Sequence, residues 1–220
     1  MLTLTEENYI KCIYKLSNNG TRSVSTNEIA EKLETKPASV SDMLRKLAAK
    51  ELLGYEKYYG VTLKNEGVAY ACKIIRKHRL WEVFLVEKLN FKWDEVHEVA
   101  EQLEHVKSNL LIERLDAFLG FPKQDPHGGY IPDQDGKWSH DNAFPLSEGE
   151  VTDTYILVRV EGNSELLKHL NAMNVQIGTK IKIEKRREFD NLLEIIIDNQ
   201  RREVVSNNFG ACLLVKKYEG

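Results

Sequence analysis

The spacing of hydrophobic residues divides the chain into a helical first part and a strand-rich last part. Apolar residues recur every three to four positions through residues 5–120, which is the period of an amphipathic helix. The predicted helices cover residues 5–17, 26–35, 38–47, 68–89, 96–108 and 110–120, the last of which continues or restarts the one before it. After residue 145 the apolar residues alternate or form short runs, which indicates β-strands.

The first 67 residues predict a winged helix-turn-helix domain. The first helix is expected to be capped by Thr5, and two short helices follow with a tight turn between them. Pro37 stands at the start of the second of these helices, where its missing N–H costs nothing. Residues 52–57 and 61–63 then predict a strand pair with a small tip, which would form the wing.

The last third of the chain predicts a small β-barrel. Strands are expected at residues 155–160, 180–184, 192–197 and 212–215, with a short helix at 164–170. The prolines and glycines of residues 121–147 predict a turn-rich linker, in which His127 and His140 are interpreted as loop residues because no carboxylate-bearing helix is expected beside them. The fold prediction is therefore mainly α with β, and its domains are 1–67, 68–120, 121–147 as the linker, and 148–220.

Composition narrows the class of protein. With 42% hydrophobic residues the chain can bury packed cores, and its three cysteines form no C-x-x-C, so neither a disulfide framework nor a thiolate zinc site is indicated. No apolar run approaches the ~18 residues of a membrane span. We expect a soluble cytoplasmic protein without a membrane partner. The net charge of -3 means that any DNA binding must depend on local basic patches or on the charge that a bound ion supplies.

The helix predicted at residues 96–108 presents two chemically different faces. His97, Glu101, Glu104 and His105 fall on one side of its helical pattern, and apolar residues fill another. Crowded carboxylates and imidazoles become favourable neighbours when a divalent cation lies among them, because both are typical ligands of first-row metals. The stripe therefore predicts a metal site, although the solvated face of an acidic helix would show the same pattern.

The second helix of the helix-turn-helix carries the residues expected to read DNA. Short hydroxyls at a helix N-terminus let the backbone approach phosphates and base edges, and between Lys32 and Lys64 seven Lys or Arg stand against four acids. The candidate DNA-binding residues, including the wing tip, are Lys36, Pro37, Ser39, Ser41, Asp42, Arg45, Lys46, Lys57, Tyr58 and Tyr59. Winged helices also serve as protein-interaction modules, and that alternative stays open here.

The long helix predicted at residues 68–89 carries His78 and Glu82 four positions apart. Such a pair alone is more often a surface ion pair than a set of ligands. The apolar surface of this helix and its successors predicts a dimer interface, and a two-fold dimer predicts a palindromic operator of double-stranded DNA.

The chain resembles the diphtheria toxin repressor family of metal-dependent bacterial regulators, which includes a manganese transport regulator branch. The resemblance lies in the segments TEENYIKCIYKL, ASVSDMLRKL, VTLKNEG, RKHRLWEVFL, VHEVAEQLEHVKS and DPHGGYIP, which follow one another in the family's order. It implies a winged helix, a helical metal-binding and dimerisation domain, and a C-terminal Src-homology-like barrel similar to the ferrous iron transport A module. The implied function is transcriptional repression with a divalent metal as corepressor.

The resemblance also implies two metal sites. The primary site would take ligands from Asn8, Glu101, Glu104 and His105. The ancillary site would take His78, Glu82 and His97, and Glu161 lies near the place where some members donate a carboxylate from the third domain.

Departures from the family pattern bear on the choice of metal. Glu101 stands where the iron-responsive branch has cysteine, and hard oxygen favours Mn(II), with Fe(II) as the alternative ion. Asn8 stands where the two branches have methionine or aspartate. Lys11 stands where the manganese branch has a further glutamate, so a primary-plus-ancillary layout is expected instead of a pair of ions.

Two other functions remain as alternatives to a metal-dependent repressor. Glu and His on facing helices also build carboxylate-bridged metal enzymes, but such sites usually take Glu-x-x-His from each of two helices, and this chain offers a different spacing. The other alternative is a winged-helix regulator that needs no metal. Binding of a promoter duplex that depends on metal would distinguish all three, and we expect no enzymatic activity.

Overall fold

The computed structural model describes residues 2–56, 59–139 and 141–219. Its first helix, α1, covers Leu4–Leu16 and begins with a capping box. The Thr3 hydroxyl accepts a hydrogen bond from the Glu6 N–H, and the Glu6 carboxylate accepts one from the Thr3 N–H. The predicted cap at Thr5 is therefore wrong, because the reciprocal pair lies two residues earlier.

A helix-turn-helix and a two-stranded wing follow, as predicted. The elements are α2 (Thr26–Lys32), α3 (Pro37–Ala49), β1 (Leu53–Glu56) and β2 (Gly60–Leu63). Ser25 caps α2, and the two strands are antiparallel, with Leu53 opposite Leu63. Val40, Leu44 and Leu47 of α3 are completely buried, so the opposite face of this helix is left to solvent.

Helix α4 covers Asn65–Leu89 and starts three residues before the prediction. Gly67 lies in its first turn, where the sequence suggests a break. A Cβ at this position would lie 2.1 Å from the Leu52 carbonyl oxygen, so the glycine permits a close backbone approach to the residue before β1.

The helical pattern at residues 96–108 does not form one helix. Helix α5 covers Val96–Leu103, and helix α6 begins at Asn109 and ends at Phe118. The chain restarts at Ser108, whose hydroxyl accepts a hydrogen bond from the Leu111 N–H. Glu104 and His105 therefore lie in the turn after α5, and the prediction that a single helix carries them is wrong.

The contacts divide the chain into two units. The first contains residues 1–81, 101–114 and 132–138, and the second contains residues 82–100, 115–131 and 139–220. The core of the first unit joins α1, α2, α3, the wing and the first part of α4, and Trp138 packs against it. Among the described residues, no helix has the length and apolar character needed to span a membrane.

The second unit carries the small β-domain expected from the sequence. Over its described residues, 141–219, the sheet has six antiparallel strands in the order β3-β8-β4-β5-β6-β7. The elements are β3 (Phe144–Pro145), β4 (Thr154–Val160), α7 (Ser164–Ala172), β5 (Lys180–Arg187), β6 (Leu192–Ile197), β7 (Arg201–Ser206), α8 (Asn207–Ala211) and β8 (Leu213–Lys217). Strands β3 and β7 were not predicted, because β3 has only two residues and β7 opens with two arginines.

Candidate metal centres

Six polar side chains of the first unit meet around the turn that follows α5. We call this group the lysine cluster, and its members are Glu7, Lys11, His78, Glu101, Glu104 and His105. The Lys11 Nζ lies 2.6 Å from Glu104 Oε2 and 3.5 Å from Glu101 Oε1. His78 Nδ1 lies 2.6 Å from the same Glu104 oxygen. One carboxylate oxygen therefore accepts from both an ammonium and an imidazole.

Burial makes the charge of Glu104 costly unless it is compensated. Its side chain is 1% exposed, and that of Lys11 is 7% exposed. Burial raises the pKa of the Glu104 carboxyl, but the hydrogen bond from His78 and the nearby Lys11 ammonium outweigh it, and the pKa falls below its ordinary value. Glu104 is thus held as a carboxylate inside the protein.

The second oxygen of Glu104 provides a test of whether the cluster fits a cation. Glu104 Oε1 is buried and has no hydrogen-bond partner among the residues that the structure describes. His105 Nδ1 lies 2.6 Å from Glu7 Oε2, and since a carboxylate oxygen accepts, Nδ1 carries the proton. His105 Nε2 then lies 3.7 Å from Glu104 Oε1, too far for a hydrogen bond. With a neutral imidazole, this nitrogen and this carboxylate oxygen would be a suitable pair of ligands for a divalent ion.

A second group of possible ligands lies in the second unit. We call it the loop cluster, and its members are Glu82, His97, Asp125 and His127. One ligand atom from each of Glu82, Asp125 and His127 lies within 4.8 Å of the others. His97 Nδ1 lies 3.4 Å from Glu82 Oε1.

The orientation of the His127 ring is fixed by a hydrogen bond from Nε2, the ring nitrogen that lies away from Glu82 and Asp125. His127 Nε2 donates to the Trp93 carbonyl oxygen over 2.7 Å, and the Trp93 ring stacks on the imidazole. His127 Nδ1 therefore lies on the side of Glu82 and Asp125, 3.8 Å from an oxygen of each. A backbone carbonyl that sets the histidine tautomer in this way is typical of metal sites.

Residues of the β-domain hold the loop that carries Asp125 and His127. Asp125 Oδ1 accepts from the backbone N–H groups of His127 and Gly129, and the His127 carbonyl accepts from the Val160 N–H at the end of β4. Gly128 has a φ of +83°, and a Cβ there would lie 2.0 Å from a carbonyl oxygen of β4. The loop can therefore lie directly on that strand.

The exposed face of α3 has the residues expected for DNA recognition. Lys36, Ser39, Asp42 and Lys46 are exposed at its start and along its outer side. Asp42 accepts from Arg45 over 2.8 Å in an exposed pair. The remaining candidates follow the same surface: Pro37 is exposed, the Ser41 hydroxyl donates to the Pro37 carbonyl, and the Tyr59 side chain is exposed at the wing. Lys57 and Tyr58, like His140 in the linker, lie outside the described residues.

Known families match the chain in three consecutive segments. Residues 1–61 match the N-terminal DNA-binding domain of iron-dependent repressors, residues 64–133 match the metal-binding and dimerisation domain of the same repressors, and residues 144–217 match the FeoA domain. The chain belongs to the diphtheria toxin repressor family. Members of this family are metal-dependent transcriptional repressors, so the resemblance, the fold class and the general function expected from the sequence are confirmed.

Individual relatives agree with this assignment. A helix-turn-helix-type transcriptional regulator of Methanocaldococcus jannaschii is 37% identical over 51% of this chain and 90% of its own length. The regulator MntR of Oceanobacillus iheyensis is 34% identical over 57% of this chain and 84% of its own length. A solved manganese-dependent repressor in complex with manganese is 31% identical, with a TM-score of 0.89 over 97% of this chain and 100% of that one.

The structure locates each ligand that the sequence predicts for the repressor. Glu101, Glu104, His105 and His78 lie in the lysine cluster, and Glu82 and His97 lie in the loop cluster. Asn8 is half-buried on α1, and the α1 carboxylate that contacts His105 is that of its neighbour Glu7. The Glu161 side chain is 64% exposed and pairs with Arg159 Nε at 3.2 Å.

Sequence reasoning missed three residues of these clusters. Glu7 was overlooked because the family pattern favoured Asn8 beside it. Asp125 and His127 were overlooked because the expectation that no carboxylate-bearing helix lies beside His127 is wrong: Glu82 of α4 and the neighbouring Asp125 both lie beside it. His127 is a loop residue, as predicted. Only the phrase DPHGGYIP, in which Asp125 and His127 flank a proline and precede two glycines, gave a signal.

Proposed function

We propose that this chain is a Mn(II)-responsive repressor, with Fe(II) as the alternative ion, that acts as a cytoplasmic homodimer on a palindromic operator and has no enzymatic activity. The observation that supports the metal most directly is Glu104 Oε1, which is buried, has no hydrogen-bond partner in the part of the chain that the structure describes, and lies 3.7 Å from His105 Nε2. Carboxylate oxygen and imidazole nitrogen suit Mn(II), and the set contains no thiolate.

Ligands from α1, from α5 and from the turn after α5 would connect metal binding to DNA binding. Glu101, Glu104 and His105 would hold the ion, with an oxygen of Asn8 or Glu7 contributed by α1. The bound ion supplies positive charge that draws these groups together. Because α1 belongs to the core of the winged helix, its fixed position also fixes α3. If the arrangement that binds DNA also binds the ion more tightly, operator DNA must in turn tighten metal binding.

The loop cluster would form the second, ancillary site. Glu82 and His97 are the ligands expected from the sequence, together with His78, and Asp125 and His127 add an oxygen and an oriented nitrogen. Glu161 follows directly on the strand that receives the His127 loop, and its exposed carboxylate could exchange Arg159 for the ion. This site would make the β-domain part of the metal response.

Exposed apolar side chains on α6 support a homodimer. Leu110 and Leu111 are 58% and 42% exposed, and Phe118 is 64% exposed. Large apolar groups in this number on one short helix are typical of an interface. The matched family model names this region a dimerisation domain.

A titration on DNA tests the proposal. DNA duplexes are first selected from a random library by the Mn(II)-loaded protein. Metal-free protein is then mixed with these duplexes at fixed salt, and DNA binding is followed by fluorescence anisotropy as Mn(II) or Fe(II) is added, with oxygen excluded for Fe(II). Glu101→Ala and His105→Ala are expected to abolish metal-stimulated binding and to leave the dimer intact in sedimentation. Unchanged operator affinity in both variants would refute the site, and binding that ignores the chelator would indicate a metal-independent regulator. Selected duplexes should contain two inverted half-sites.

A further inference from the structure

The lysine cluster already contains a cation, which belongs to the protein itself. The Lys11 ammonium contacts Glu104 at 2.6 Å and Glu101 at 3.5 Å, and both of these carboxylates are proposed ligands of the metal. The Lys11 side chain is 7% exposed, and its ammonium lies beside the carboxylates that would hold the ion. Buried charges in proteins are normally paired with a group of opposite charge in this way.

We propose that Lys11 is an exchangeable internal cation, which neutralises the primary site in the metal-free protein and leaves it when a divalent ion binds. This inference rests on the function proposed above and adds a residue that sets the metal affinity. In the exchange, the Lys11 ammonium moves to water with its charge and proton unchanged, and the ion takes its place between the two carboxylates.

Electrostatics require the two cations to exclude each other. An ion held by Glu104 Oε1 and Glu101 would lie within a few ångströms of the ammonium, where like charges in a water-poor site repel strongly. The side chain has a short way out, because the Glu101 side chain at 3.5 Å from Nζ is itself 52% exposed. The four-carbon stem of lysine can then place the charge in water while its methylenes stay packed.

The exchange has two consequences for the repressor. Without metal, the Lys11 ammonium compensates the charge of Glu104 and helps to keep the pKa of this carboxyl below its ordinary value, so that Glu104 stays ionised. With metal, part of the binding free energy is used to expel the ammonium, so the apparent affinity falls and the protein responds only at a higher concentration of free ion.

Chemical modification of the full-length protein tests the exchange without any variant. Reductive methylation of lysine amines is followed by peptide mass spectrometry in chelator and in saturating Mn(II). Lys11 is expected to be protected in chelator and to react several times faster in Mn(II). Exposed Lys15, one turn further along α1, should react equally in both and is the internal control. Continued protection of Lys11 in saturating Mn(II) would overturn the proposal.

Variants of Lys11 provide the second test. Lys11→Gln retains a hydrogen-bond donor for Glu104, and Lys11→Met removes it. Both variants should lower the dissociation constant for Mn(II), measured by calorimetry, by at least about tenfold relative to the wild type. This is the effect expected when the Lys11 ammonium, which competes directly with the ion, is removed. Lys15→Met removes a positive charge from the same helix and should leave the constant unchanged. A constant in folded Lys11→Gln within twofold of the wild type would overturn the proposal.

Glu104→Gln separates failure of this inference from failure of the proposed function. If Glu104→Gln weakens Mn(II) binding while Lys11→Gln does not change it, the site is correct and the exchange is wrong. If Glu104→Gln has no effect on Mn(II) binding, the metal site itself is wrong. If Lys11→Met folds only when Mn(II) is present, as judged by circular dichroism, the ion replaces the ammonium as proposed.

Discussion

The lysine cluster and the loop cluster collect similar carboxylates and imidazoles but compensate their charges differently. In the lysine cluster a buried ammonium neutralises Glu104 at 2.6 Å. In the loop cluster two backbone N–H groups stabilise Asp125, and the imidazole of His127 lies 3.8 Å away. In the lysine cluster the Lys11 ammonium must leave before an ion can take its place. In the loop cluster the backbone N–H groups that bind Asp125 can stay where they are when an ion binds.

This difference indicates different roles in one repressor. The loop cluster, with its histidine already oriented by the Trp93 carbonyl, is prepared to bind an ion directly. In our proposal the lysine cluster must exchange one cation for another, and one of its ligands comes from α1, which belongs to the winged-helix core. We therefore expect the loop cluster to bind Mn(II) more tightly and the lysine cluster to set the concentration at which DNA binding begins.

The largest effect should come from removing the carboxylate that Lys11 needs. Glu104→Ala leaves a buried ammonium and His78 without their common acceptor, which should lower the free energy of unfolding of the metal-free protein by about 3–5 kcal/mol. Denaturant titration in chelator measures this. Glu101→Ala is the matched control, because its side chain is 52% exposed and its loss should cost less than about 1 kcal/mol. Equal losses in the two variants would mean that the Lys11–Glu104 pair contributes no special stability.

The sequence was sufficient to predict most of the first cluster and little of the second. Helical spacing placed Glu101, Glu104 and His105 close together even though α5 ends at Leu103, because the turn after it keeps them on one side. The contact of Lys11 with these groups depends on how α1 packs, which no local pattern encodes. Asp125 and His127 come together through a loop that lies on a strand, and apart from the turn residues of DPHGGYIP a segment without hydrophobic periodicity does not indicate such packing.

A substitution in that loop should disturb the second cluster alone. Gly128→Ala forces a left-handed residue and places a Cβ 2.0 Å from the Val158 carbonyl, which should cost about 2–3 kcal/mol of unfolding free energy. Mn(II) binding by the loop cluster, isolated by calorimetry in a Glu104→Gln background, should weaken as well. Gly120→Ala is the control, since Gly120 has a φ of +75° and nothing within 4 Å among the described residues. Gly120→Ala should lower the free energy of unfolding by about 1 kcal/mol and leave Mn(II) binding unchanged.

Asp125 has two roles that substitution can separate. Asp125→Ala removes the acceptor of two backbone N–H groups and should cost about 1–2 kcal/mol of stability. Asp125→Asn keeps an oxygen for those N–H groups and should retain most of that stability. Both remove the negative charge, so both should weaken Mn(II) binding by the loop cluster about tenfold or more, measured in the same Glu104→Gln background. If Mn(II) binding is weakened in Asp125→Ala but retained in Asp125→Asn, Asp125 only shapes the loop.

The smallest effect concerns the choice of ion at the lysine cluster. Glu101→Cys replaces a hard oxygen with a softer sulfur, so it should favour Zn(II) or Cd(II) over Mn(II) by roughly tenfold, or about 1.4 kcal/mol. The loop cluster contains no residue changed by this substitution, and its preference should stay the same. Competition calorimetry with each ion, in Glu101→Cys and in Glu101→Cys with Asp125→Asn, separates the two clusters.

Glu101→Ser serves as the control, because a neutral thiol also loses the charge of Glu101. The serine variant should weaken the binding of Mn(II), Zn(II) and Cd(II) alike. An identical order of ions in the cysteine and serine variants would mean that ligand softness does not select the metal and that the exchange with Lys11 alone sets the response.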